Sequence, residues 1–323
     1  MAKAVRYHKQ GGPEVMQYED IQVGDPGPGQ VRIRHTAIGV NFVDTYQRSG
    51  LYPMQLPQVA GNEGAGVVEA LGQGVTDLKP GDRVAYTGIP GSYAQMNVCP
   101  ADRLVKLPDK LSFRDGAAAM LQGMTAHYLT RSTYALKSGD TCLVHAAAGG
   151  MGLLLTQMGK MFGATVIGTV STDEKAALAK QAGADHVILY SKQDFVAEVK
   201  RITGNRGVDV IYDGVGATTF EKGLTCIRPR GVMALYGAAS GPVGPLDLQL
   251  LNANGSLFVT RPSLNHHIAS REELVQRSGD VLGWIRDGKL KLRVETTFPL
   301  DKAGEAHRAL EGRKTTGKVL LIP

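Results

Sequence analysis

The sequence predicts an α/β protein in which a doubly wound parallel sheet is inserted into a second, mainly β unit. The chain has 323 residues, more than one hydrophobic core usually organises, so two packed units are expected. Its first third contains short β segments between turns, as at residues 4–7 and 31–37. From Thr141 onward, short apolar strands alternate with helical patterns, which is typical of βαβ units around a parallel sheet.

The middle of the chain contains the strands of this parallel sheet. Each predicted strand is a short apolar run, and a helical pattern separates it from the next one. The five strands are residues 141–146, Thr165–Val170, His186–Leu189, residues 208–212 and residues 232–236. With their intervening helices they predict a doubly wound domain.

The last part of the chain indicates a return to the first unit. After Asn254 a strand is predicted at residues 257–260, a helix at about Arg271–Arg286, another helix at about 302–310, and a terminal strand at Lys318–Ile322. We therefore predict a cofactor domain at residues 124–261, inserted into a domain that residues 1–123 and 262–323 form together.

Composition and charge exclude several classes of protein. No apolar run approaches the roughly 18 residues of a membrane span, and no hydrophobic signal region follows Met1, so a cytoplasmic location is expected. The cysteines Cys99, Cys142 and Cys226 are far apart and odd in number, which predicts neither a disulfide framework nor a paired metal-ligand spacing. The formal charge of +6 is dispersed along the chain, and the phosphates of a dinucleotide would suffice as the anionic partner.

A glycine-rich turn follows the first strand of the predicted parallel sheet. Small residues let the backbone approach a pyrophosphate, and the N-terminus of the next helix presents unpaired N–H groups to negative charge. Ala147 stands where the usual G-x-G-x-x-G pattern has its first glycine, and a plain structural turn is the alternative interpretation. The turn consists of Ala148, Gly149, Gly150, Met151 and Gly152.

The end of the second strand favours NADPH over NADH. Ser171 stands where an NAD-binding domain would carry a carboxylate, and its hydroxyl can donate to a 2′-phosphate. Lys175, one helical turn further on, would neutralise that phosphate. The neighbouring acidic residues, Asp173 and Glu174, argue mildly against NADPH, although acids at a helix start also favour the helix dipole. Tyr190, after the third strand, either stacks beside the adenine or covers the core.

Separated motifs in the chain resemble those of the medium-chain dehydrogenase/reductase family. They are GNEGAGVVE at residues 61–69, GDRV at residues 81–84 and the loop AAGGMG at residues 147–152. With Arg-Pro-Ser at residues 261–263, the resemblance narrows to the zinc-free quinone oxidoreductases, the zeta-crystallin-like branch, and covers essentially the whole chain. It implies a GroES-like catalytic domain, a Rossmann domain, a cleft between them and a homodimer.

The resemblance also implies that no metal takes part. Zinc-dependent relatives place a cysteine where this chain has Asn41 and a histidine where it has Asn62. Amide groups are poor zinc ligands, and Glu63 cannot hold the ion alone. The four-cysteine cluster of those relatives is missing as well. We therefore expect NADPH-dependent, zinc-independent hydride transfer to electron-poor acceptors such as quinones.

The resemblance to quinone oxidoreductases assigns Asn41, Asp44, Tyr46 and Tyr52 to the catalytic site. Asn41 is expected to hydrogen-bond the cofactor or substrate, or to satisfy a turn. Asp44 is expected to orient Tyr46, or to pair with Arg48 at i, i+4 spacing. Tyr46 and Tyr52 are candidate contacts of a quinone oxygen, with surface packing as the alternative for Tyr52.

Further residues are assigned to the cofactor by the same resemblance. Most of them follow strand ends, where an open α/β sheet binds ligands. Arg313 is expected at the 2′-phosphate, with an ordinary surface role as the alternative. The strand residues Phe258, Val259 and Thr260 are expected to position the nicotinamide carboxamide. The remaining assignments are Thr125 near the start of a helix, Gly214 and Val215 after the fourth strand, and Tyr236 and Gly237 after the fifth.

Two other functions stay open. One is reduction of the carbon–carbon double bond of α,β-unsaturated carbonyl compounds, which needs a proton at the α-carbon and so depends more on Tyr46 or Tyr52. The other is a non-catalytic NADPH-binding or RNA-binding role, which the dispersed basic residues and the lack of an RNA motif disfavour. Three histidines are not assigned to any of these functions: His145 is expected in a buried strand, and His266 and His267 in a loop.

Overall fold

The computed structural model describes all 323 residues and divides the chain into two compact units. The first unit comprises Met1–Met124 and Ile268–Pro323, and the second comprises Thr125–His267. The sequence places the limits of the inserted domain at residues 124 and 261, so the second limit differs by a short segment. Residues 262–267 stay with the second unit, where the ring of His267 stacks on that of Tyr128 at 4.1 Å between centroids.

The N-terminal part of the first unit is mainly β, which confirms the predicted class. Val31 and Ile33 are buried while Arg34 is exposed, the alternation of a strand with one face on a core. The elements are β1 (Ala2–Tyr7), β2 (Met16–Ile21), β3 (Gln30–Val40), α1 (Phe42–Ser49), β4 (Gln58–Val59), β5 (Glu63–Leu71), β6 (Arg83–Thr87), β7 (Met96–Pro100), β8 (Val105–Lys106) and α2 (Phe113–Tyr128).

The second unit alternates strands and helices. A short π-helix at Leu129–Thr133 follows α2. The elements that come after it are β9 (Thr141–Val144), α3 (Gly150–Met161), β10 (Thr165–Val170), α4 (Asp173–Gln181), β11 (His186–Leu189), α5 (Phe195–Ile202), β12 (Val208–Asp213), α6 (Phe220–Leu224), β13 (Ile227–Leu235), α7 (Gln249–Ala253), β14 (Phe258–Thr260) and α8 (Leu264–His267).

The strands of the second unit form one parallel sheet in the order β11-β10-β9-β12-β13-β14. This is the order of a doubly wound dinucleotide-binding fold, and its direction reverses between β9 and β12. The return to the first unit that the sequence predicts after Asn254 begins later, because the strand predicted at 257–260 belongs to the second unit, inside the predicted limits 124–261. This strand is β14, the sixth of the parallel sheet, because Leu257 packs into the core of this unit and Phe258 pairs with Val232.

The chain then returns to the first unit, as predicted. The remaining elements are α9 (Arg271–Arg286), β15 (Val294–Pro299), α10 (Ala303–Glu311) and β16 (Lys318–Ile322). The predicted bounds of α9 and β16 are confirmed, whereas the helix predicted from residue 302 begins one residue later, after a 3-10 turn at Leu300–Lys302. β16 pairs antiparallel with β3, which joins the two ends of the chain in one sheet.

The first unit packs α10 against this sheet. The buried cluster includes Val5 and Tyr7 of β1, Ile38 of β3 and Ala303 and Ala306 of α10. Its apolar surface fixes α10 over the part of the sheet that leads into α1. None of the helices combines the length and apolar character that a membrane crossing requires.

Candidate active site

Helix α1 begins with a capping box that its own sequence encodes. Asn41 is the residue before the helix, and its N–H donates to Asp44 Oδ2 at 2.8 Å. The N–H of Asp44 in turn donates to the Asn41 carbonyl at 3.1 Å. Such reciprocal bonds satisfy N–H groups that a helix start leaves without partners. The two predicted catalytic residues therefore also fix where α1 starts.

The side chain of Asn41 belongs to a buried ionic cluster with Glu63 and Lys318. Lys318 Nζ lies 2.6 Å from Glu63 Oε2 and 2.7 Å from Asn41 Oδ1. The amide Nδ2 of Asn41 donates to the same Glu63 oxygen at 2.8 Å, and the backbone N–H of Leu121 donates to Glu63 Oε1 at 2.6 Å. Glu63 is fully buried and Lys318 is 2% exposed. A metal ion held by Glu63 would have to displace this ammonium group.

Lys318 is a functional candidate that sequence reasoning missed. The signal was present, because Lys318 is the one charged residue of the otherwise apolar terminal strand KVLLI. A lysine at the start of a strand is usually solvated, and only the pairing of β16 with β3 reveals that this one is buried beside Glu63. No group of three or more His, Cys, Asp or Glu side chains is arranged to hold a metal ion.

Asp44 lies at the centre of a second buried network. Its Oδ1 accepts from Asn62 Nδ2 at 2.7 Å, and its Oδ2 accepts from the hydroxyl of Tyr93 at 3.0 Å. Burial raises the pKa of Asp44 to about 6, although the hydrogen bond from Asn62 opposes this shift. The alternative pairing of Asp44 with Arg48 is wrong, because the guanidinium of Arg48 instead pairs with Glu311 at 2.6 Å.

The structure brings Tyr46 and Tyr52 together. Their rings meet edge to face with centroids 5.3 Å apart, and Phe42 lies 6.2 Å from Tyr46 in the preceding turn of α1. The backbone N–H of Tyr52 donates to the Tyr46 carbonyl at 3.1 Å, which holds the loop after α1 against the helix. Tyr46 is buried and Tyr52 is 36% exposed. The cluster presents an aromatic edge that suits a planar, conjugated ligand.

In the second unit, the glycine-rich loop ends at the N-terminus of α3. Gly149 is the residue before the twelve-residue helix, and no side chain caps the amides of the first turn. Those amides are open to an anion, and the helix dipole favours negative charge there. A Cβ on Gly152 would lie well inside contact distance of the Ala146 carbonyl oxygen, so only glycine permits this packing of helix against loop.

The loop departs from the usual glycine pattern and compensates for it. Ala147 is buried where a glycine is usual, and Gly168 of β10 makes room for its methyl group. A Cβ on Gly168 would lie only 2.7 Å from the Cβ of Ala147. Ala146 has a φ of 53°, in the left-handed region that non-glycine residues rarely adopt. The backbone thus takes the shape of a phosphate loop with two alanines in it.

Three residues predicted for the adenosine end of the cofactor lie near the end of β10: Ser171, Lys175 and Tyr190. Ser171 follows β10 directly, and its carbonyl accepts from the hydroxyl of Ser191 at 2.8 Å. The N–H of Tyr190 donates to the Val170 carbonyl at 3.1 Å, so Ser171 and Tyr190 lie at neighbouring strand ends. Tyr190 is 44% exposed, and Lys175 lies in the first turn of α4.

The acidic residues that argue against NADPH have other partners. Asp173 pairs with Lys192 at 2.8 Å. The pKa of Glu174 is lowered by hydrogen bonds from its own backbone amide and from Thr172, so this carboxylate caps the start of α4. Both acids therefore have a local structural role at the start of α4.

The residues predicted after the fourth and fifth strands lie side by side. Gly214 lies against the ring of Tyr236, where a Cβ would be only 2.8 Å from three of its atoms. Sequence reasoning missed Asp213, which organises this corner. Its Oδ1 accepts from the N–H of Val215 at 2.7 Å, and its backbone carbonyl accepts from the N–H of Tyr236 at 2.9 Å. Gly237 follows in the same turn.

The other predicted cofactor residues are more dispersed. Thr125 lies in the last turn of α2 and not near the start of a helix, because the apolar helix that begins at Phe113 continues without a break. Phe258 of β14 is 62% exposed, and Val259 and Thr260 are partly buried. Arg313 belongs to the first unit, in the exposed turn after α10.

The histidines also differ from expectation in one respect. His145 is buried, as predicted, just beyond the end of β9, where its Nδ1 lies 3.0 Å from the hydroxyl of Thr169. His266 and His267 lie in the short helix α8 and not in a loop. The ring of His267 in this helix stacks on that of Tyr128.

The second unit has the features that a dinucleotide requires. Its phosphate loop follows β9, and the turn organised by Asp213 follows β12, the two strands between which the sheet order reverses. Ligands of open α/β sheets bind at this reversal. The open amides of α3 suit a pyrophosphate, and Ser171 with Lys175 suits a 2′-phosphate. The fold and site define a dinucleotide-dependent dehydrogenase or reductase.

Comparison with known proteins specifies this class. Residues 27–109 match the alcohol dehydrogenase GroES-like domain, and residues 150–276 match the zinc-binding dehydrogenase family. The chain is 48% identical to the 2-haloacrylate reductase of Burkholderia sp, covering 100% of this chain and 99% of that protein. It is 46% identical to the quinone oxidoreductase of Pseudomonas aeruginosa, with 100% of both chains covered.

A solved structure agrees with these sequence matches. The Escherichia coli quinone oxidoreductase complexed with NADPH superposes with a TM-score of 0.98 at 45% identity, and the match covers 100% of both chains. The protein therefore belongs to the zinc-free quinone oxidoreductases of the medium-chain dehydrogenase/reductase family, an oxidoreductase family. Asn41 and Asn62 set it apart from zinc-dependent members, and Lys318 supplies the cation that neutralises Glu63.

Proposed function

We propose that this protein is an NADPH-dependent quinone reductase that works without zinc. The observation that carries the proposal is the full-length match to a quinone oxidoreductase that holds NADPH in the same fold, at a TM-score of 0.98. Two features of the chain itself support it. The second unit has a phosphate loop and a cationic corner at Ser171 and Lys175, and the first unit neutralises Glu63 with Lys318.

The residues that would hold NADPH are those of the second unit. The first-turn amides of α3, at Gly150 and Met151, would bind the pyrophosphate. The hydroxyl of Ser171 and the ammonium group of Lys175 would bind the 2′-phosphate, and Tyr190 would stack beside the adenine. When bound, the nicotinamide supplies a hydride.

The acceptor would lie against the aromatic cluster of Phe42, Tyr46 and Tyr52. A quinone is planar and apolar with two carbonyl oxygens, and this cluster offers ring edges together with phenolic hydroxyls. Acceptance of hydride places negative charge on a quinone oxygen, where a hydroxyl donor stabilises it. Because the charge delocalises into an aromatic hydroquinone, the protein mainly has to align the quinone with the nicotinamide and exclude water.

A second candidate function is reduction of an activated carbon–carbon double bond. The observation that favours it is the 48% identity to a 2-haloacrylate reductase over the whole chain. Such a reaction requires a proton at the α-carbon, for which Tyr46 or Tyr52 would be the donor. The Tyr52→Phe variant should therefore lose more activity on a double bond than on a quinone.

We also propose a homodimer located in the cytoplasm. β14 is an edge strand of the parallel sheet, and the side chain of Phe258 on it is 62% exposed. An uncovered edge with an apolar residue is a pairing surface for a second copy. Light scattering after size exclusion should give twice the monomer mass, and a stable monomer would contradict the pairing.

The cysteines support the proposed location. Cys99, Cys142 and Cys226 are all buried free thiols, which suits a reducing compartment.

The activity is tested by NADPH oxidation with chelator-treated protein. Benzoquinones and naphthoquinones should be reduced at the same rate with and without the chelator, and NADPH should be preferred to NADH. Turnover of 2-haloacrylates or enones alone would favour the second candidate. Binding of NADPH with no turnover of either class would contradict both and leave a non-catalytic role.

A further inference from the structure

A chain of buried side chains connects the surface of the first unit to Asp44. Arg48 NH1 lies 2.9 Å from His307 Nδ1, and His307 Nε2 lies 3.0 Å from the Tyr93 hydroxyl. The hydroxyl of Tyr93 lies 3.0 Å from Asp44 Oδ2. All four side chains are nearly or fully buried, and Glu311 holds Arg48 at the outer end.

The groups at the two ends of this hydrogen-bonded series, a guanidinium and a carboxylate, determine which atom donates in every hydrogen bond. A guanidinium group can only donate, so His307 Nδ1 must accept from Arg48. The proton of a neutral imidazole then lies on Nε2, which donates to the oxygen of Tyr93, and the Tyr93 hydroxyl donates to the carboxylate of Asp44. Burial and the charge of Arg48 lower the pKa of His307 to about 3, so the ring stays neutral.

This chain does not conduct protons. Arg48 does not release a proton in proteins, so no proton enters from the side of Glu311. The hydrogen-bonded side chains instead fix one another's orientation and transmit the electrostatic effect of the Arg48 charge. Each bond polarises the next in a buried region, and the last one ends on a carboxylate, where hydrogen bonds are strong.

The helices α1 and α10 hold this series of hydrogen-bonded side chains in place. Asp44 and Arg48 lie one turn apart on α1, and His307 and Glu311 lie one turn apart on α10, so both helices contribute two members. The ring of Tyr93 meets that of His307 edge to face, with centroids 5.7 Å apart. At its inner end, Asp44 holds the N–H of Asn41 and the amide of Asn62.

We infer that Tyr93 and His307 are positioning residues. They transmit the electrostatic effect of Arg48 to Asp44 through hydrogen bonds and so hold the first turn of α1 in place. The Tyr46–Tyr52 cluster that follows this turn is thereby kept in a reactive geometry. The inference rests on the proposed function only for what the cluster contacts. The side chains of Tyr93 and His307 are fully buried and are not among the residues proposed to contact the acceptor or the cofactor, so they would act through Asp44.

The test is a double-mutant cycle of Tyr93→Phe and Asp44→Asn, which separates action through Asp44 from general packing. Tyr93→Phe removes one hydroxyl and keeps the ring. It should lower kcat/KM for the quinone about ten-fold and leave the Kd for NADPH unchanged. In the Asp44→Asn background the same substitution should change kcat/KM by less than about two-fold. Equal losses in both backgrounds, or no loss in the wild-type background, would overturn the inference.

Two conservative variants sharpen the cycle. His307→Gln retains an acceptor for Arg48 and a donor for Tyr93 and should keep most of the activity, whereas His307→Leu should behave like Tyr93→Phe. Equal damage from both would also overturn the inference. Tyr18→Phe, which removes an exposed hydroxyl on β2, is the matched control and should leave activity and Tm unchanged.

The Tm values of the four cycle proteins give a readout that does not need activity. Tyr93→Phe should lower the Tm more in the wild-type background than in Asp44→Asn. If the wild-type protein reduces no quinone, the proposed function fails, but the coupling of the Tm changes still tests the role of the hydrogen-bonded side chains. Additive Tm changes would then contradict the proposed coupling of Tyr93 to Asp44.

Discussion

The surroundings of Asn41 in the first unit and the phosphate loop of the second unit are built in opposite ways. Around Asn41, charged and amide side chains satisfy one another inside the protein, and the partners Lys318 and Glu63 are 255 residues apart in sequence. In the phosphate loop, small consecutive residues leave backbone amides open at the start of α3. One region is closed by long-range side-chain contacts, and the other stays open through local backbone shape.

The difference shows how the first unit replaces a metal. A zinc ion would be held by soft or imidazole ligands and would carry the local positive charge. Here the ammonium group of Lys318 carries that charge, and Asn41 joins it to Glu63 through both ends of its amide. An ammonium group that is so enclosed has no open position for a substrate oxygen. We therefore expect acceptors that are already activated, such as quinones, to fit this site better than simple alcohols or ketones.

The largest effect is expected from breaking the buried ion pair. Lys318→Met leaves the Glu63 carboxylate buried without a counter-charge and should lower the free energy of unfolding by about 3–5 kcal/mol. Urea unfolding of the whole chain measures this change. The double variant Lys318→Met/Glu63→Gln should be more stable than Lys318→Met, because it removes the isolated charge. A double variant that is equally unstable would contradict this account of the cluster.

The next effect concerns the pH dependence of stability. Burial raises the pKa of Asp44 from its ordinary value of 3.8 to about 6, so the folded chain holds this proton more tightly than the unfolded chain. The contribution of Asp44 is therefore most favourable below about pH 4 and falls as the pH rises through 6, by about 3 kcal/mol.

The comparison of wild type with Asp44→Asn isolates this term. Two buried histidines, His35 and His307, have pKa values lowered by burial to about 4 and about 3, and they weaken both proteins as the pH falls below 6.5. The unfolding free energy of wild type relative to Asp44→Asn should decrease between pH 4 and pH 7. A difference that does not vary with pH would show that Asp44 titrates normally.

In the phosphate loop, the expected effect is smaller and comes from one methyl group. Gly152→Ala places a Cβ against the Ala146 carbonyl oxygen and should cost about 1–3 kcal/mol of stability and at least about ten-fold in NADPH affinity. Titration of the bound cofactor measures the affinity. Gly279→Ala in α9 is the matched control, since its Cβ meets open space and the helix should gain up to about 1 kcal/mol.

The smallest effect should distinguish the two nicotinamide cofactors. Lys175→Ala removes the cation proposed for the 2′-phosphate and should raise the Kd for NADPH about ten-fold, with the Kd for NADH unchanged. Lys180→Ala, an exposed lysine at the other end of α4, is the control and should change neither constant. An equal loss of both cofactors in Lys175→Ala would mean that the lysine only supports the helix.

Much of the second unit could be predicted because its signals are local. The strand bounds Thr165–Val170 and His186–Leu189 agree with the structure, as an apolar run between turn residues carries its own limits. The exception is β14, whose few residues hold no signal that distinguishes one sheet from another. Its pairing with β13 depends on Leu257 reaching the core of the second unit.

The site in the first unit was only partly predictable. Asn41, Asp44, Tyr46 and Tyr52 lie at one helix and in the loop that follows it, and the resemblance to quinone oxidoreductases was what assigned them to the site. Lys318 comes from the far end of the chain, as do His307 and Glu311. Nothing in their own surroundings distinguishes them from solvated residues, and the expected pair of Asp44 with Arg48 is replaced by contacts with these distant partners.

The sequence by itself determined the fold class, the family and the glycine-rich loop after β9, because each depends on patterns and motifs that can be identified along the chain. Only the tertiary structure decided which charges neutralise one another. The antiparallel pairing of β16 with β3 buries Lys318 beside Glu63, and the packing of α10 brings His307 to Tyr93. Buried charges require partners wherever the fold places them, and the order of residues along the chain does not show which partners these will be.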